Sequence, residues 1–179
     1  MSDCREPGCK CLPSTSSVSQ TMDEMDFERG IWYAAQNNDL ERVEKLLRKG
    51  VCPDAPDAAG YTALHHAARA GHLKVCTRLL NAGASVDAAT RAGHATALHR
   101  AAAAGRLPVV DLLLLAGANT KLPDVDGKTA LHRAAEHGHL PVVKSILQAC
   151  PDLKYRRDER GKLPLYYARG NDEVARLLG

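Results

Sequence analysis

Histidine and cysteine are the side chains of this chain best suited to chemistry, and it carries eight of the first and six of the second. Three histidines, His65, His99 and His132, each close the string TALH, at steps of 34 and 33 residues. His72 and His139 share a second register, with Arg106 in the copy between them. A catalytic or metal site needs its groups gathered once, whereas a repeated structural hydrogen bond needs the same group once per unit. The five periodic histidines are therefore read as structural. His66, His94 and His137 fall outside the period and are read as surface groups.

Motifs for reaction chemistry are missing. There is no HExxH, no paired CxxC, no GxGxxG and no P-loop, and no Ser, Cys or Asp recurs with a His in a local nucleophile motif. The expectation is a protein that is not an enzyme and has no cofactor. Cys4, Cys9 and Cys11 form C-x4-C-x-C, three thiolates that could ligate zinc with a fourth donor. No His lies nearby and the spacing is not that of a zinc finger, so oxidisable thiols in a solvated tail are the plainer reading. Cys52, Cys76 and Cys150 have no paired spacing, as suits reduced thiols, and cytoplasm or nucleus is the expected location.

The elements that must position these residues follow from one stretch, GYTALHHAARAGHLKVCTRLLNAGA from Gly60 to Ala84. It returns at Ala95–Ala118 and at Gly127–Ala149, and Leu64, Leu98, Leu131 and Leu165 mark one register at steps of 34, 33 and 34. Such a period is the sign of a stacked repeat. Thr62, Thr96 and Thr129 are placed to cap a short Ala-rich helix that stops at Gly71, Gly105 or Gly138. A second helix follows, with Pro108 and Pro141 in its first turn, where a missing N–H costs nothing. Polar, Gly-containing connectors such as LPDVDGK link the copies as projecting hairpin turns. The connector around Arg91–Ala95 carries one extra residue.

Asp39 replaces the His/Arg entry residue in the first copy, and the last copy is shortened to about two turns behind Asn171. Both read as terminal caps. Residues 1–21 mix Pro, Gly, Ser and Thr with few large apolar residues and are expected to be a disordered tail. The expected domain is 22–179, an all-α solenoid with units near 27–59, 60–92, 93–126, 127–160 and 161–179. A helix start is expected at Asp23, Glu24 and Asp26, ahead of Phe27, Ile31 and Trp32. No apolar run approaches a membrane span, and no secretory signal is expected.

The pattern TALHxAAxxGHLxVVxxLLxAGA resembles the ankyrin repeat over about residues 27–179. Ala63, Ala97 and Ala130 stand where that family usually has Pro, and the last unit has Leu163–Pro164 for Thr–Pro. The resemblance implies an ankyrin-repeat solenoid of helix-turn-helix plus β-hairpin loop units that binds proteins, with the first helices and hairpin tips lining a concave groove. Counting from the residue after the TALH histidine, Tyr33, His66, Arg100, Arg133 and Tyr167 should form a ladder across that groove. Arg69, Glu136 and His137 lie a turn further on, and Tyr61, Arg91, His94 and Lys128 belong to the hairpins. Arg and Tyr are frequent interface hot spots, while Ala58, Ala59, Ala103 and Ala104 leave room for a partner.

Net charge is +3. Five acids and two bases in residues 1–26 leave the remainder at +6, which suits a protein partner presenting an acidic segment. Interleaved acids, as in YRRDERGK, and sparse aromatics argue against nucleic acid. A monomer with no membrane partner is expected. Charge reversal at Arg100 and Arg133 together should abolish partner capture and leave the stack folded. The competing expectation is a scaffold or adaptor that also uses the cysteine-bearing tail, and zinc titration of that peptide separates the two.

Overall fold

The computed structural model describes residues 30–168 and 170–179. The expected tail, with Cys4, Cys9 and Cys11, and the helix start at Asp23–Phe27 lie outside the described residues. Within them the chain is a succession of helical hairpins. Helix α1 covers 30–36. It is followed by α2 (Leu40–Arg48), α3 (Ala63–Ala70), α4 (Leu73–Asn81), α5 (Ala97–Ala103) and α6 (Leu107–Leu115). Then come α7 (Ala130–Glu136), α8 (Leu140–Ala149), a 3-10 turn (Pro151–Tyr155), α9 (Pro164–Tyr167) and α10 (Asp172–Leu178). Odd-numbered helices pack in one layer, with α5 between α3 and α7 and α9 on α7; even-numbered helices form the second layer.

The three middle units start with an unusual cap. Glu or Gln ordinarily occupies the third helical position of a capping box, but here His65, His99 and His132 do so. The N–H of Thr62, Thr96 and Thr129 donates to the Nδ1 of that histidine at 3.1, 3.2 and 3.2 Å. An accepting Nδ1 leaves the proton on Nε2, which donates to the next unit: His65 to Ala95 O at 3.0 Å, His99 to Lys128 O at 3.1 Å and His132 to Lys162 O at 3.3 Å. One neutral imidazole thus closes its own helix and ties its unit to the next.

The entry residue of each later second helix reaches the other way. His72 donates to Gln36 O at 2.9 Å, Arg106 to Arg69 O at 3.2 Å, His139 to Ala103 O at 3.1 Å and Asn171 to Gly138 O at 3.1 Å. Asn171 also caps α10, accepting the Val174 N–H. At the other end of the described chain, Trp32 is anchored through its indole N–H to Ala55 O at 2.7 Å.

Alanine pairs set the spacing of the first layer. Ala67–Ala68, Ala101–Ala102 and Ala134–Ala135 are all buried, as are Leu64, Leu98 and Leu131. Small side chains let helices approach closely, and the leucines fill the seams. The second layer contributes Val75, Leu79, Val109, Val110, Leu113, Val142, Val143 and Ile146. Leu165, in the same register as Leu98, is 38% exposed, since among the described residues α9 has a first-layer neighbour, α7, on one side alone. Cys76 is enclosed by this core, and burial pushes its thiol up to about 12, so it stays protonated. Among the described residues no helix is long and apolar enough to cross a membrane.

The connectors are hairpin turns without assigned strands among the described residues. Each tip is closed by a backbone bond between its arms: Asp57 N–H to Tyr61 O, Thr90 to Ala95, Asp124 to Lys128 and Asp158 to Lys162. Neighbouring tips are joined as well, Val125 N–H to Gly93 O and Glu159 N–H to Asp126 O. Only glycine permits this approach at Gly127, whose φ is +73° and where an added Cβ would sit 2.6 Å from the Glu159 nitrogen. Gly127→Ala is therefore expected to cost about 1–3 kcal/mol in urea unfolding. Gly117→Ala, at φ +84° with open space around it, should cost only the backbone strain of about 1–2 kcal/mol.

Candidate functional site

The ladder residues occupy the first helices, and most of them are held by the hairpin that precedes them. His66 Nε2 lies 2.9 Å from Asp57 Oδ2, Arg133 Nε donates to Asp124 Oδ2 at 2.7 Å, and Tyr167 Oη donates to Asp158 Oδ2 at 2.5 Å. In all three the aspartate is nine residues upstream. Its other oxygen accepts N–H groups of its own turn: Ala59 and Tyr61 for Asp57, Asp126 and Lys128 for Asp124, Lys162 for Asp158. One carboxylate shapes the tip and fixes the rung.

Electrostatics follow that arrangement. Burial pushes the Asp57 carboxyl up, but the His66 ring and the Tyr61 and Ala59 N–H groups hold it below its ordinary range. Asp158 is lowered in the same way by Tyr167 and its turn, and accepting the phenol proton pushes Tyr167 up to about 12.

Arg133 is saturated. Besides Asp124, its guanidinium pairs with Asp126 at 2.9 Å and with Glu136 at 3.3 Å. Glu136 in turn takes both oxygens to Lys128 Nζ at 3.1 Å, and that amine lies 4.0 Å over the Tyr167 ring. Burial raises the Glu136 carboxyl, and Lys128 and Arg133 more than offset it. The hairpin leading into unit four is thus tied to α7 by ion pairs, and Lys128 reaches on to unit five through the Tyr167 ring.

Two expectations are corrected here. Lys128, read as a hairpin contact for a partner, is only 7% exposed and spent on Glu136 and Tyr167. Arg133, read as a free cation that could be reversed without harm, has three carboxylates around it. Arg133→Glu would set four acids together, so the double charge reversal at Arg100 and Arg133 should destabilise units four and five rather than leave the stack untouched.

The remaining residues retain surface. Tyr33 is 62% exposed, and Arg69, Arg91, His94 and His137 are exposed as well. His94 sits at φ +49° in the lengthened hairpin, and His137 stacks on His139 with ring centroids 6.1 Å apart. Tyr61 is half-buried, edge-on to His65 at 5.8 Å, and the Arg100 guanidinium lies 5.1 Å from its ring centroid. Among the described residues no carboxylate pairs with Arg69, Arg91 or Arg100, and no group of three His, Cys, Asp or Glu is placed to hold a metal ion.

Asp57, Asp124 and Asp158 are the residues that sequence reading missed. Their signal was present: an Asp nine positions before the residue following the repeat's first-helix histidine or its equivalent.

Comparison with known proteins agrees with this geometry. The family model described as Ankyrin repeats (3 copies) matches residues 31–124 and, overlapping it, 98–179. The chain is similar to human ankyrin repeat domain-containing protein 39, with 55% identity over 84 residues, or 47% of this chain and 46% of the relative. The Bos taurus protein of the same name is 59% identical over 70 residues, 38% of each chain. Human ankyrin repeat domain-containing protein 49 is 40% identical over 68 residues, 37% of this chain and 28% of the relative. The matched stretches span less than half the length of these relatives.

Proposed function

Starting from the fact that this chain belongs to the ankyrin-repeat family, whose repeats mediate protein–protein interaction, we propose a non-catalytic module that seats a protein segment on its first helices and hairpin tips. The observation that supports this most is the uneven use of charge along one face. Lys128 and Arg133 of unit four spend their charge on Asp124, Asp126 and Glu136, while Arg69, Arg91 and Arg100 of the second and third units have no carboxylate partner among the described residues. That surplus is basic, so the segment is acidic. The module works as a monomer in the cytoplasm or nucleus and needs no cofactor, nucleic acid or membrane.

Affinity purification with the wild-type chain and with Arg69→Glu/Arg100→Glu tests this. Neither arginine has a carboxylate partner among the described residues, so circular dichroism of the variant should match wild type while the captured proteins are lost. An unchanged set of captured proteins would sink the reading. The affinity should also weaken with salt, because ions at 0.15 M screen exposed charges beyond about 8 Å. A salt-indifferent affinity would indicate an apolar surface instead.

A further inference from the structure

The repeats differ from one another at one chemically specific point. The hairpins that lead into units two, four and five each place an aspartate under the next ladder residue, namely Asp57 under His66, Asp124 under Arg133 and Asp158 under Tyr167. The hairpin that leads into unit three has Thr90 at that position, as shown by the common closing bond from residue 57, 90, 124 or 158. The Thr90 hydroxyl keeps the turn-forming role, accepting the Ala95 N–H at 3.1 Å. It has no charge to give Arg100.

The substitution is not isolated. Register pairs Asp126 with Ala92 and Glu136 with Ala103, so all three carboxylates around Arg133 have uncharged counterparts around Arg100. The hairpin is also one residue longer, which sets Arg100 ten positions after Thr90 rather than nine and brings in His94 at φ +49°. Arg91 stands where the next unit has Val125. Arg100 instead lies over the Tyr61 ring, 5.1 Å from its centroid, a contact that leaves its N–H donors in the guanidinium plane available.

We propose that Arg100 is a carboxylate subsite, filled by an Asp or Glu side chain of a partner polypeptide that takes the place the hairpin aspartate holds in the neighbouring units. This rests on the reading of this face as the protein-binding face. The chain itself shows the chemistry: in the next unit an arginine of the same register binds a carboxylate through Nε at 2.7 Å and a second through Nη2 at 2.9 Å. Arginine's fork matches a carboxylate in two parallel bonds. Ala103, one turn along α5, stands where α7 has Glu136, and Arg69 and Arg91 are further exposed cations with no carboxylate partner among the described residues.

The test uses the full chain against a phage-displayed library of random unphosphorylated peptides, with synthetic copies of the selected peptides titrated by fluorescence anisotropy. Four variants are compared with wild type: Thr90→Asp, Arg100→Gln, Tyr33→Ala and Arg69→Glu. Thr90→Asp supplies the carboxylate in cis, with the turn chemistry that Asp57 and Asp124 already demonstrate. The selected peptides should share an acidic residue, and Thr90→Asp or Arg100→Gln should each weaken them about tenfold or more. Changing that acid to its amide should cost the same factor against wild type and nothing further against Arg100→Gln. The unfolding midpoint of Thr90→Asp should rise, and Arg100→Gln stands in if that variant does not fold.

Peptides lost with Tyr33→Ala or Arg69→Glu but indifferent to Thr90→Asp and Arg100→Gln overturn the subsite and leave the proposed binding face standing. Peptides indifferent to all four variants, or an empty selection, overturn both. Binding only after phosphorylation of the peptides overturns the carboxylate assignment.

Discussion

Replacing Leu98 with Asp is expected to abolish cooperative folding of the protein at neutral pH. Leu98 is 1% exposed in α5, between α3 and α7. Removing its side chain from the core forfeits about 2–5 kcal/mol in transfer and cavity terms. The new carboxylate would enter the buried apolar cluster that holds Leu98, and an unpaired buried charge adds several more. A domain of this size has roughly 5–15 kcal/mol of total stability. In a stack where each unit touches only its neighbours, a lesion in the third of five units weakens two interfaces at once.

The comparison that isolates the seam is Leu165→Asp. It changes the same register in the last unit, where the side chain is 38% exposed, and should cost about 1 kcal/mol or less. Circular dichroism melts of both variants check this. Equal damage by the two substitutions would show that the register, and not the burial, sets the cost.

Acidification from pH 6.5 towards 4 should lower the unfolding midpoint well before the carboxylates titrate. Burial holds His65 down at about 4 from an ordinary value of 6.5, and lowers His99 and His132 too. A histidine depressed in the folded state contributes stability above its unfolded pKa and loses it as pH falls through the folded value. For His65 that amounts to about 3 kcal/mol across the window, at 1.36 kcal/mol per unit. Protonation at Nδ1 removes the acceptor for the Thr62 N–H, so a helix cap fails with each imidazolium.

Asp57, Glu136 and Asp158, all held low, begin their own loss only below about pH 5. The histidine loss is therefore separable between pH 6.5 and about 5. Urea unfolding at half-unit pH steps measures it. The triple variant His65→Gln, His99→Gln, His132→Gln keeps a side chain able to complete the capping box but cannot protonate, and should flatten the slope between 6.5 and about 5. A wild-type protein whose stability is level across that window would refute the assignment.

Most of the fold could be read in the letters because it is written several times. Thr62, Leu64, His65 and Gly83 recur at a fixed step, and recurrence of cap, seam and stop leaves few alternatives for the chain. The structural role of the periodic histidines followed from the same logic, although their partners, such as Ala95 O and Lys128 O one unit away, did not. Ladder positions were legible as register, because residues three and four apart share a helix face.

What the sequence by itself determined is the repeat, its helical hairpins and the set of residues that vary on its first-helix face. Only the tertiary structure decided which of those residues keep their charge. Arg100 and Arg133 have the same letter in the same register, and periodicity cannot tell them apart. Their difference lies in the neighbouring positions, Asp124 and Asp126 of the hairpin and Glu136 of α7 about one, against Thr90, Ala92 and Ala103 in the matching register of the other. Electrostatic pairing depends on distances of a few ångströms across a turn, which folding sets and spacing along the chain does not.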